Sequence, residues 1–103
     1  MSKVVEVSHP EELLTLIETH EAVVVDFAAP AWCVPCRQFA PHFDKASEKS
    51  EAIFVTVDID ESTWAMADYG IQSVPTVKLF KSGSFNKNIQ ARTVLPLLAE
   101  IGS

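Results

Sequence analysis

Residues 28–41 read AAPAWCVPCRQFAP and hold both cysteines of a 103-residue chain, Cys33 and Cys36. The stretch before them, AVVVDF at 22–27, is almost continuously apolar. Such a run suits a strand covered on both faces. The stretch after them places Cys36, Phe39, Ala40 and Phe43 at i, i+3, i+4 and i+7. That spacing predicts one buried face of a helix beginning at the second cysteine. Pro41 falls inside this helix and is predicted to kink it, because proline lacks an N–H and clashes with the preceding turn. The two thiols thus stand at a strand–helix junction, where a metal clip, a structural staple and a redox centre compete as readings.

Working outward, Val4–Val7 reads as a short strand, and Ser8 with Glu11 fits a capping box with Pro10 in the first helical turn. Leu13, Leu16, Ile17 and His20 then recur at helical spacing. AIFVTVDI at 52–59 predicts another central strand, and residues 63–69 a short helix stopped by Gly70. TVKLF and SFNKNI flank KSG and read as a hairpin. Thr93 caps a last helix, with Val94, Leu97, Leu98 and Ile101 facing inward. The order β-α-β-α-β-α-β-β-α predicts an α/β fold with parallel crossovers and one antiparallel hairpin. No linker or repeat breaks the chain, so residues 1–103 are expected to form a single domain.

Bulk properties narrow the function. Hydrophobic residues make up 48% of the chain and charged residues 21%, enough for a core without covalent staples. The net charge of −6 repels phosphate backbones and argues against nucleic-acid binding. The N-terminus shows no leader, and the apolar run at 22–25 is far too short to span a bilayer. The expected setting is therefore a reducing cytoplasm, where a permanent staple is unusual and a reactive pair is normal.

The residue types decide among the three readings. Tetrahedral zinc takes four ligands, but His9, His20 and His42 are scattered without ligand spacing, so no metal is expected. A thiol at a helix start meets unpaired N–H groups that favour its anion, and the thiolate is the reactive form. Arg37 adds a nearby positive charge. Cys33, beside Trp32 at the helix mouth, is expected to be the exposed nucleophile, and Cys36 the buried resolving thiol. Attack by Cys33 on a disulfide, then by Cys36 on the mixed disulfide, would leave the pair oxidised. The Asp58, Asp60 and Glu61 cluster reads as a solvated strand-to-helix junction, and Trp64 and Tyr69 as packing residues.

VDF, WCVPC, Pro41, YGIQSVPT at 69–76 and LFKSG at 79–83 follow one another in the order found in the thioredoxin family, which this chain resembles. The resemblance implies a central mixed sheet of about five strands flanked by about four helices. It implies a small thioredoxin reducing protein disulfides, with Cys33 and Cys36 as the catalytic dithiol and Asp26 as a buried acid accepting the proton of Cys36. Pro75 would follow a cis peptide bond facing the dithiol, and Val74 would offer its backbone to an extended substrate beside Trp32. No cofactor would be bound: electrons would come from NADPH through a separate thioredoxin reductase to a monomer. The chain departs from the family at Val34, where glycine is usual, at Thr56, where a basic residue is common, and at Gln90, near a docking glycine. Six residues separate Asp26 from Cys33, one more than usual, and a bulge within AAPA would absorb the extra one. An interaction subunit of a larger assembly and a glutaredoxin- or oxidase-like enzyme are the competing functions.

Overall fold

The computed structural model describes residues 1–102; the end of the expected domain, Ser103, lies outside them. The elements are β1 (Val5–Glu6), α1 (Pro10–Thr19), β2 (Ala22–Ala28), α2 (Val34–Ser47), β3 (Ile53–Asp58), α3 (Trp64–Tyr69), β4 (Thr76–Lys81), β5 (Ser84–Ile89) and α4 (Val94–Ile101). The strands form one mixed sheet in the order β1-β3-β2-β4-β5. β3 runs parallel to both β1 and β2, while β4 runs antiparallel to β2 and β5. Helical crossovers permit the parallel pairs, and the two-residue Ser82–Gly83 turn permits the hairpin. Both turn residues have positive φ, 53° and 84°, as tight hairpin turns require.

Strand alternation sorts β2 between two cores. Val23, Val25 and Phe27 pack with Leu13 and Ile17 of α1 and Ala65 of α3. Val24 faces the other way, against Phe39, Phe43 and Ala46 of α2 and Leu97 and Ile101 of α4. The sheet is thus covered on both sides, which explains the unbroken apolar run in β2. Phe43 lies between Phe39 and Phe54, with ring centroids 5.5 and 4.9 Å away. Each buried side chain of this size contributes about 1.5–3 kcal/mol through removal from water.

Besides Thr93, which precedes α4 without a side-chain cap bond, three local expectations change. The Ser8–Glu11 capping box does not form: α1 starts at Pro10 with His9 as its cap residue, and no side chain caps it. A residue before proline is held out of the helical region, so His9 stays extended and Ser8 falls one position too early to cap. The Ser8 carbonyl instead accepts the Trp64 indole N–H at 3.0 Å. Second, α2 begins at Val34 rather than at Cys36, and Ala40 is exposed. Its buried face is Cys36, Phe39, Phe43, Ala46 and Ser47, which turns Ala40 toward solvent. Third, His20 is exposed just past the end of α1. Among the described residues, no helix is long and apolar enough to cross a membrane.

Candidate active site

The end of β2 delivers the chain to the start of α2 through a turn. Trp32 and Cys33 both donate their backbone N–H to the Ala29 carbonyl, at 3.2 and 2.9 Å. Cys33 is the cap residue of α2, and Cys36 lies in its first turn. The two are joined as a disulfide, with Cα atoms 5.2 Å apart. Cys33 Sγ accepts the Cys36 backbone N–H at 3.2 Å. This sulfur therefore sits against an unpaired donor of the helix start, where a thiolate is favoured once the bond is reduced.

Exposure differs from expectation. Cys33 is only 4% exposed, against 2% for Cys36, so the first cysteine does not stand open to solvent in the oxidised pair. Both cysteines pack with Ala28 and Ala29, and with the partly buried Ile59 and Val74. Folding Cys33 Sγ back over the first turn of α2 points it at Cys36 instead of at solvent. Trp32, by contrast, is 61% exposed, and its indole N–H donates to Asp60 Oδ2 at 2.9 Å. Asp60 is thus an orienting partner of Trp32, a role that the solvated-junction reading did not anticipate. Asp58 Oδ1 in turn accepts the Asp60 backbone N–H at 2.9 Å.

Across from the dithiol, the Val74–Pro75 peptide is cis. Cys33 Sγ lies 3.8 Å from the Val74 carbonyl oxygen, a contact that becomes a donor–acceptor pair when the sulfur carries a proton. Strand alternation puts Asp26 on the face of β2 that carries Val24 and Ala28, two positions from Ala28 in the cysteine cluster. Asp26 is 3% exposed, and its Oδ1 has no hydrogen-bond partner among the described residues. Burial pushes its carboxyl up to about 7 from 3.8; the Arg92 charge opposes this rise and the Asp44 charge adds to it. The extra residue between Asp26 and Cys33 makes no bulge in β2, whose pairing with β3 is regular from Val23 to Ala28. It is taken up in the turn from Ala29 to Cys33, and Asp26 stays in regular register opposite Thr56.

Thr56, where the family often has a basic residue, pairs with Asp26 across β2 and β3. The cation that acts on Asp26 comes from Arg92 instead. Arg92 follows β5 and folds back toward the cis peptide, donating through Nη2 to the Pro75 carbonyl at 3.4 Å. The sequence carried no signal for this, because the approach depends on the path of the chain after β5.

A family model described as Thioredoxin matches residues 3–101. The chain belongs to the thioredoxin family. It is 46% identical over 85 residues to Thioredoxin-3 of Dictyostelium discoideum, covering 82% of this chain and 80% of the relative. It is 34% identical to Thioredoxin-1 of Schizosaccharomyces pombe over 97 residues, 93% of each chain. The crystal structure of Schistosoma mansoni thioredoxin superposes with a TM-score of 0.85 at 36% identity, covering 96% of this chain and 93% of that one. With its paired cysteines, this thioredoxin-family chain is a thiol–disulfide oxidoreductase that reduces protein disulfides. The dithiol itself carries the two electrons, so the thioredoxin reaction needs no bound cofactor.

Proposed function

We propose that Cys33 is the attacking thiol and Cys36 the resolving thiol of this reductase. The Cys33 thiolate attacks one sulfur of a substrate disulfide. That S–S bond breaks, a Cys33–substrate bond forms, and the other substrate sulfur leaves as a thiolate and takes up a proton. Cys36 then gives its proton to Asp26 and attacks Cys33 Sγ. The mixed disulfide breaks, Cys33–Cys36 forms, the second substrate sulfur leaves as a thiolate and takes up a proton, and two electrons have passed to the substrate. A carboxyl titrating near 7 is matched to that proton at neutral pH. The observation that carries the assignment is the Cys36 N–H donated to Cys33 Sγ at the start of α2.

Trp32, Val74 and Pro75 form the substrate-binding surface in this reading. Val74 offers backbone groups to an extended segment, in the manner of an added strand. Residues 1–103 act as a single domain and a monomer in the cytoplasm, recharged with electrons from NADPH by a separate thioredoxin reductase. The family resemblance supports the reductase, and the net charge of −6 supports proteins rather than nucleic acids as partners. Insulin reduction tests the dithiol: Cys33→Ser is expected to fall to the uncatalysed background. Undiminished turnover in that variant would overturn the assignment.

A further inference from the structure

The surface on either side of the dithiol is electrically uneven. On the side of Pro30, a cleft is lined by Glu6, Asp58 and Glu61 and by no basic residue. On the side of Pro35, a cleft runs between α2 and the cis peptide, lined by Gln38, Phe39, His42, Pro75 and Arg92. A further cleft continues past Pro75 along Ser73, Thr76, Asn88 and Gln90, again with Arg92. No carboxylate lines either of these two clefts, although the chain as a whole carries a net charge of −6. Arg92 is common to both, and it is the one guanidinium beside the cis peptide among the described residues.

The side chain is held but not used up. Nη1 donates to the Ile89 and Ala91 carbonyls at 2.8 and 3.0 Å, and Nη2 to the Pro75 carbonyl. The guanidinium lies 5.3 Å from the centre of the Phe39 ring. A guanidinium has five N–H donors. Two of them, on Nε and Nη2, remain without a protein acceptor among the described residues. The charge is therefore fixed in place, half-buried, with donors left for a ligand. Val74, whose carbonyl touches Cys33 Sγ, directly precedes Pro75, whose carbonyl takes the Arg92 bond. An extended segment advances about 3.3 Å per residue. From the sulfur under attack, Arg92 is thus within about three residues of such a segment.

We propose that Arg92 is a specificity-determining residue that selects protein disulfides flanked by a carboxylate side chain on the cis-proline side. Glu or Asp within three residues of the attacked cysteine meets the free N–H groups of Arg92, while a lysine there meets its positive charge. The carboxylate-lined cleft on the Pro30 side disfavours the reverse placement. This inference rests on the reading of Cys33, Val74 and Pro75 as the substrate site.

The test uses disulfide-linked peptides identical except for Glu, Gln or Lys two residues from the attacked cysteine. Each is reduced by the reduced protein, and kcat/KM is measured. The wild-type protein is expected to favour Glu over Gln by about fivefold, the size of a well-formed exposed ion pair. Arg92→Gln is expected to bring the ratio to one and Arg92→Lys to restore part of it. A general loss of activity cancels from the ratio. The wild-type preference for Glu over Lys is also expected to shrink between low and high salt. Equal reduction of the three peptides, an unchanged ratio in Arg92→Gln, or a preference insensitive to salt would overturn the proposal while leaving the dithiol assignment intact. Reduction of none of them by wild-type protein would overturn the dithiol assignment itself.

Discussion

Val24 and Asp26 stand two residues apart on β2 and project from the same face of the sheet, into very different surroundings. Val24 enters an apolar cluster with Phe39, Phe43 and Phe54, where every neighbour gains from exclusion of water. Asp26 is buried nearly as deeply, but one of its oxygens has no partner among the described residues. The first region generates stability; the second gives some of it up by burying a carboxyl without full hydrogen bonding. α2 spans both regions, with its aromatic residues over the apolar cluster and its N-terminus at the sulfurs. The contrast shows how a strong core at one end of a helix permits a buried ionisable group at the other.

The largest effect that would break this contrast is expected in the apolar region. Phe43→Ala removes a ring packed on two others and should cost about 3–5 kcal/mol in urea unfolding of the oxidised protein. A loss below about 1 kcal/mol would mean that the cluster is not the source of stability claimed for it.

Asp26→Asn probes the other region, and the sign follows from proton binding. The folded carboxyl titrates near 7, above its unfolded value of 3.8, so the folded state holds its proton between those values while the unfolded state releases it. The Asp26 proton thus favours the folded state at low pH, and that advantage is lost as pH rises from about 4 through about 7. Asp26→Asn should therefore leave stability near wild type at pH 4 and raise it at pH 8 by up to roughly 4 kcal/mol. Resolution of a mixed disulfide should lose its acceleration near pH 7 in the same variant. A stability difference that stays constant from pH 4 to pH 8 would contradict the buried-acid account.

The smallest effect sharpens the comparison at the exposed rim. Asp60→Ala removes the acceptor of the Trp32 indole N–H and should cost no more than about 1 kcal/mol, because water replaces the bond. In a Trp64→Phe background, the fluorescence anisotropy of Trp32 should fall as the ring is released. Unchanged anisotropy would show that Asp60 does not hold the ring.

Periodicity and punctuation were enough to read most of the fold. The apolar run of β2, the i, i+3, i+7 series of α2, Gly70 after α3 and KSG in the hairpin each act through residues close in sequence. The dithiol at the helix start was legible for the same reason, since Cys33 and Cys36 are three residues apart. The failures lay where a local signal met a through-space one. Ser8 looked like a cap, yet Pro10 keeps His9 extended, and the Ser8 carbonyl is bound by Trp64, 56 residues away. Cys33 looked exposed, yet Val74, 41 residues on, packs against it.

By itself, the amino-acid order determined the alternation of strands and helices, the two-sided burial of β2 and the presence of a reactive thiol pair at a helix N-terminus. Tertiary structure alone decided how far the Asp26 carboxyl would rise, that Asp60 would hold Trp32, and that Arg92 would come to rest against the Pro75 carbonyl. The physical reason is range. Helical and strand preferences are settled within a few neighbouring residues, whereas desolvation and charge depend on which distant segments the fold brings within a few ångströms.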